Sequence, residues 1–406
     1  MSTLRGKASQ TGRDHRATPF ELFFDLVYVF AITQITGHMA REGDAEGVLQ
    51  GLMTLALLWG TWSGYTWLGN HSRADEGVTR AGMVVAMAAM FVLALAIPDA
   101  WSGGSGSLVL VVAYLLVRWV HLAIYAVAAQ GDPGLRRQVA VTWLPLAASA
   151  ALLMSGALLG GWAQSVLFAV ALVVDWVGVY LTTRHGHWRL RSPSHLTERH
   201  GLFMIVAIGE SIVAVGTGAA GQPMSAALLL AAIQGIAVAV CLWWSYFDVV
   251  SRAAARRLRG EGRVRLAVQA YTYGHFPIIA GIVLTALGLE GVVAHAGDTE
   301  PLGAFSSLAL YGGAALYLLG HLLFRLGIHH VFSRSHLVAA ATLLAIAPVA
   351  AMLPPLAGPT GVIAVLTLMI MVETRRDAAS RNGRGRASFQ TRSRPRMTDS
   401  LLVEET

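Results

Sequence analysis

Charge is what this sequence has least of. Asp, Glu, Lys and Arg make up 13% of its 406 residues, against 55% hydrophobic, where a soluble domain carries roughly 25% charged residues. Water cannot be the main solvent for such a chain. Cysteine is almost absent as well. The single Cys241, beside Leu242 and Trp243, excludes an internal disulfide or a CxxC pair and reads as a small apolar packing residue. There is no P-loop, GxSxG or HExxH motif, and no soluble stretch large enough to hold a nucleotide. ATP-driven transport by this chain alone is therefore not expected, and neither is an enzyme activity or a cofactor.

The formal net charge of +7 sits at helix ends and in the tail. It forms no continuous basic face, so no nucleic-acid partner is expected. His185, His187, His195 and His200 share a central polar segment but match no metal-site spacing. No metal is expected there, and His329 and His330 read as interfacial.

What the chain does have is long apolar runs. A hydrocarbon core of ~30 Å needs ~20 helical residues. Runs of that kind predict spans at 19–39, 46–69, 80–98, 108–130, 138–160 and 162–183, then 199–218, 224–249, 265–288, 304–327, 335–353 and 359–374. The expected fold is an all-α polytopic membrane protein of about twelve helices. Its expected parts are a basic N-terminal segment (1–18), a first six-helix unit (19–183), a linker (184–198), a second unit (199–374) and a disordered Arg/Ser-rich tail (375–406). The first eighteen residues are polar and the run after them is too long for a signal-peptide core, so it should remain as the first span.

Arginine sets the orientation. The N-terminus (Arg5, Lys7, Arg13, Arg16) and the segments with Arg73 and Arg80, with Arg136 and Arg137, with Arg184, Arg189, Arg191 and Arg199, and with Arg252 to Arg265 are basic. The alternate loops carry Arg41 and otherwise almost nothing basic: 99–107, 217–223, 289–303 and 354–358 contain no Arg or Lys. Both termini are expected in the cytoplasm and the spans in the cytoplasmic membrane.

The chain matches itself at an offset of 185, which sets His15 on His200, Asp25 on Glu210, Arg80 on Arg265 and Phe91 on Phe276. After a longer loop, HLAIY from His121 resembles HLLFR from His321. Six helices per unit would make the repeats parallel, related by an axis along the membrane normal.

Ionisable residues inside spans cost roughly 2.5–3.5 kcal/mol each and are retained for a partner, a cavity or a pathway. Glu21, Asp25, Tyr28, Ile32 and Thr36 form a stripe on the first span, and Tyr114, Arg118, His121 and Tyr125 form one on the fourth. Tyr317, His321 and Arg325 repeat the pattern in the second unit, joined by Asp175, His275 and by Glu210 with its neighbour Ser211. These residues are expected to share one layer near the cytoplasmic third. Two readings stay open: buried ion pairs that fix helix register, or a hydrated path for protons or cations.

TPFELFFDLVYVFAITQITGHM from Thr18, HGLFMIVAIGESIVAVG from His200 and HFPIIAGIVLTALGLE from His275 closely resemble the bacterial low temperature requirement protein A family. The resemblance covers most of residues 14–374. It implies a multipass membrane protein associated by name with growth in the cold, and it implies no molecular mechanism. FFDLVYVFAIT from Phe23 also looks like the first-helix motif of two-repeat, six-helix-per-repeat endolysosomal potassium channels, through Phe23, Asp25 and Thr33. The sequence departs from that motif at Phe24 and at Gly209–Glu210.

The expected function is an ion channel or an ion- or proton-coupled small-solute permease, with Asp25 and Glu210 as charged site residues and His121 and His321 as proton partners. The alternatives are a non-transporting membrane factor for cold or envelope stress and, third, an intramembrane lipid-acting enzyme. Expected partners are membrane lipids and an ion or small solute, and a homodimer stays open.

Overall fold

The structure, a computed structural model, describes residues 16–184, 190–249, 264–329 and 331–392. His15, His185, His187, His330, most of the basic run after Arg252 and residues 393–406 lie outside them. Every regular element among the described residues is helical. In order these are α1 (Pro19–Glu42), α2 (Ala45–His71), α3 (Gly77–Ala96), α4 (Ser105–Ala128), α5 (Pro133–Leu159) and α6 (Gly161–Arg184). Then follow α7 (Pro193–Ala219), α8 (Ala226–Val249), α9 (Val264–Ala294), α10 (Ala304–His329), α11 (Arg334–Ala350) and α12 (Ala357–Arg392).

Ten of the described helices are long and apolar enough to cross a membrane. The others are α2, which is long but carries Gln50, Thr54, Thr61, Ser63, Thr66 and Asn70 on buried positions, and α11, which has 17 residues. Polarity is inverted relative to a soluble protein. Leu144, Trp162, Ile233, Leu229 and Leu344 point outward, whereas Asp25, Arg199, His275 and His321 are inside. Apolar side chains outward and charged ones inward suit a lipid solvent. The protein is a multi-pass membrane protein.

Each set of six helices repeats one packing order. Helix α1 lies on α2 and α3, α3 on α4, α4 on α5, α5 on α6, and α6 returns to α2. Likewise α7 lies on α8 and α9, α9 on α10, α10 on α11, α11 on α12, and α12 returns to α8. The sets meet where α1 and α2 face α7 and α9. At the α9–α10 seam a Cβ on Gly281 would lie 2.4 Å from the backbone nitrogen of Tyr317, so the two helices come closer than a side chain allows.

Local signals explain where the helices start. Thr18 caps α1 through a reciprocal pair with Glu21, with Pro19 in the first turn. Ser192 caps α7 by accepting from the His195 amide at 3.2 Å, again followed by proline. Helix α7 therefore starts at Pro193 rather than near 199, and takes up His195 from the expected linker. The expected disordered tail also differs: α12 continues to Arg392. A span that has already nucleated the helix extends cheaply into alanine and arginine, both good helix formers.

Candidate functional site

Helices α1 and α7 run side by side from what is here termed the terminal face, the one at which α1 begins and α12 leaves its span. Two contacts between them join residues 174 positions apart. Arg199 donates to both oxygens of Asp25, at 2.6 and 2.9 Å, and to the Glu21 carbonyl at 3.0 Å. The Trp62 indole donates to Asp25 at 2.8 Å, and the Arg199 guanidinium lies 5.6 Å from the Trp62 ring centre. His195 Nε2 sits 2.9 Å from one Glu21 oxygen, while the other holds the Thr18 amide. All of these side chains are buried. Buried charge is tolerable when paired and hydrogen-bonded on every side, and here both acids are. Asp25 is thus held by Arg199 and is not a partner of a histidine. Tyr28 is spent locally on Thr61 at 3.1 Å.

The expected single layer does not hold for Glu210 or Ser211. Asp25 lies about 9 Å along α1 from Pro19 and Glu210 about 26 Å along α7 from Pro193, at 1.5 Å per residue. The 185-residue offset therefore pairs residues of different depth, because α7 begins earlier than that match requires. Glu210 accepts from the Thr33 hydroxyl at 2.8 Å, so its hydrogen-bond partner is a hydroxyl rather than a cation. The Ser211 hydroxyl is buried without a hydrogen-bond partner.

Closer to the terminal face, a cavity of about 100 Å³ opens between α2, α4 and α6 of the first set and α9 of the second. Arg118 donates to Asp175 at 2.7 Å on its wall, and His121 lies beside Gly64. The Arg118 Nε and the His121 Nε2 are buried without a hydrogen-bond partner. Trp59, Trp67 and Trp176 supply apolar walls, and Gly60 and Gly64 leave room that side chains would fill. The α9 wall is irregular. Residues Val268–Tyr273 form a π-helical segment before the regular helix resumes at Phe276. Such segments free backbone groups and recur at functional sites. The Thr272 carbonyl takes the Trp59 indole at 2.5 Å, and its hydroxyl takes Ser63 and Trp67, each at 3.1 Å. The break is thus stitched to α2 of the other set.

The remaining predicted residues gather in the second set. His275 closes the break, with Nδ1 donating to Ala270 at 3.0 Å and Nε2 3.0 Å from the Tyr246 hydroxyl. His321 is fully buried against Tyr317, and Arg325 pairs with Glu373 at 2.9 Å. In both sets, then, an arginine of the fourth helix meets an acid of the sixth. Among the described residues no group of three His, Cys, Asp or Glu side chains could hold a metal ion.

Sequence reasoning passed over Arg199, His195, Thr272, Tyr246, His336 and Glu373. The Ser192–Pro193 cap could have exposed the first two. The break in α9 had a signal in Pro277, whose missing amide leaves the Tyr273 carbonyl without its helical partner.

Comparison with known proteins agrees with this architecture. The family described as bacterial low temperature requirement A protein matches residues 16–371. An uncharacterized protein of Rhizobium meliloti (strain 1021) is 30% identical over 345 residues, covering 80% of this chain and 82% of that protein. No solved structure matches the chain. With a family match across nearly all of its helices, the chain belongs to the bacterial low temperature requirement A family.

Proposed function

We propose that this protein is an ion- or proton-coupled permease for a small solute, set in the cytoplasmic membrane with its terminal face in the cytoplasm. The observation that carries the reading is the cavity where the broken helix α9 of one set meets the Arg118–Asp175 pair of the other. Secondary transporters commonly bind their solutes at the interface of two repeats, beside a discontinuous helix. A solute with a polar group can meet the Arg118 guanidinium where it lines the cavity, while the tryptophans exclude water. The π-helical segment is the part of α9 able to change its hydrogen bonding as the sets move. Arginine enrichment of terminal-face segments supports the orientation.

Asp25 drops out of the pathway on this reading, because Arg199 and Trp62 occupy both of its oxygens. That same closed network is what favours the second reading, a non-transporting membrane factor whose polar groups only fix helix register.

Purified protein in sealed liposomes separates the two. The permease reading expects gradient-driven uptake of at least one member of a panel of ions, small organic acids, amines and amino acids, and expects Gly60→Leu, which fills the cavity and leaves the Arg118–Asp175 pair in place, to remove it in protein of normal folded yield. Folded protein that moves nothing across that panel would leave the structural reading standing.

A further inference from the structure

We propose that the cavity holds its solute by a carboxylate group, seated over Gly60 between Arg118 Nη1 and the indole of Trp176, which makes the solute a small organic monocarboxylate. This rests on the permease reading, since it names the class of solute for the same cavity.

Gly60 is the floor of this seat. A Cβ built on it would meet Arg118 Nη1 and Trp176 Nε1 first, each at 3.9 Å, so the two nitrogens flank one point that glycine leaves open. Both nitrogens are N–H donors. Asp175 takes the neighbouring Nη2 of Arg118 at 2.7 Å, and among the described residues no hydrogen bond uses Nη1 or the Trp176 indole. The other cavity tryptophans differ. Trp59 donates to the Thr272 carbonyl at 2.5 Å and Trp67 to the Thr272 hydroxyl at 3.1 Å, so these two offer only ring surface.

Donors without acceptors decide the class of ligand. The acid of the cavity, Asp175, already faces Arg118, so an ammonium ligand would compete with a guanidinium for it. An acceptor displaces nothing. A carboxylate brings two oxygens, one for each nitrogen, and hydrogen bonds to an ionised group are roughly twice as strong as neutral ones. A single negative charge suits the wall, because Arg118 is its one permanent cation and already meets one acid. Beyond the seat, Trp59, Trp67 and Leu122 give an organic tail apolar surface, and a cavity of about 100 Å³ keeps that tail short.

Trp176 connects the seat to the broken helix. Its ring packs edge-on against Tyr273 and Phe276 of α9, with centres 5.8 and 4.9 Å away. Its carbonyl accepts from the Tyr273 hydroxyl at 2.8 Å. Tyr273 is the last residue of the π-helical segment. A ligand that engages the Trp176 indole therefore bears on the part of α9 where the two sets meet.

The test is a propionate titration of ¹⁵N-tryptophan-labelled full-length protein in lipid nanodiscs and chloride-free buffer. It is read by NMR at the Trp176 indole N–H, whose signal Trp176→Phe assigns. The seat predicts a saturable downfield shift of that proton, smaller changes at Trp59 and Trp67, and no matching response to propionamide or propylammonium. Gly60→Leu, which fills the seat, should abolish the response. Gly60→Ala, which adds one carbon at ordinary contact distance, should weaken propionate binding about tenfold, or roughly 1.4 kcal/mol. No saturable shift with propionate, an equal shift with propionamide, propylammonium or chloride, or a shift unchanged in both glycine variants would overturn the proposal. The readout is binding, not flux. Protein that binds propionate but moves no solute would lose the permease reading alone. Uptake of solutes that lack a carboxylate, with no Trp176 response to propionate, would lose the carboxylate seat alone.

Discussion

Asp25 and Arg199 meet in a two-pronged ion pair, at 2.6 and 2.9 Å, across the boundary between the two six-helix sets. The pair is almost wholly buried, with side-chain exposures of 1% for each partner. It joins α1 to the first turns of α7, so it ties the halves together near the terminal face. The account that follows treats this pair as a clasp and the Arg118 cavity as the working site.

Breaking the clasp on one side should be costly. Asp25→Asn or Arg199→Ala strands a buried charge, which costs about 3–5 kcal/mol, and folded yield in detergent should drop sharply. The double variant Asp25→Leu/Arg199→Met removes both charges and should recover most of that loss. Recovery is read from thermal unfolding, and a double variant as unstable as either single would contradict a purely structural pair.

Glu210→Gln should behave in the opposite way. The partner of Glu210 is the Thr33 hydroxyl, which can donate to an amide oxygen as well as to a carboxyl. The substitution should cost less than about 1 kcal/mol, within the range of a single neutral hydrogen bond. A loss as large as that of Asp25→Asn, measured in the same unfolding assay, would mean that a cation meets this acid.

Two glycines separate packing from function. A Cβ on Gly281 falls 2.4 Å from a backbone atom of α10, so Gly281→Ala should destabilise by about 1–3 kcal/mol through overpacking. A Cβ on Gly60 finds its nearest neighbours, the Arg118 guanidinium and the Trp176 indole, at 3.9 Å. Gly60→Leu should therefore fit into the cavity. It should hold or raise stability, because glycine inside a helix costs roughly 0.5–1 kcal/mol relative to alanine. Unfolding temperatures of the two variants relative to wild type test the contrast.

Much of this was legible in the sequence. Apolar runs gave the helices, since lipid leaves the backbone few alternatives. The cost of intramembrane charge singled out Asp25, Arg118, Asp175 and His321 as buried residues. Partner choice was hidden. Arg199 read as one more terminal-face arginine because the start of α7 depends on a serine–proline cap, a weaker signal than hydropathy. Matching Asp25 to Glu210 relied on both being acidic, whereas depth is fixed by helix starts. The break in α9 coincides with Pro277, which withholds an amide from the Tyr273 carbonyl, whereas the capture of the Thr272 carbonyl by Trp59, more than two hundred positions away, has no local signal.

The most direct measurement of the central claim is uptake into sealed liposomes by wild type, Gly60→Leu and the Asp25→Leu/Arg199→Met double variant, each checked for folded yield. The cavity account predicts gradient-driven uptake by wild type, uptake retained in the double variant and lost in Gly60→Leu. Uptake that survives Gly60→Leu, or no uptake by folded wild type across the panel, would contradict it.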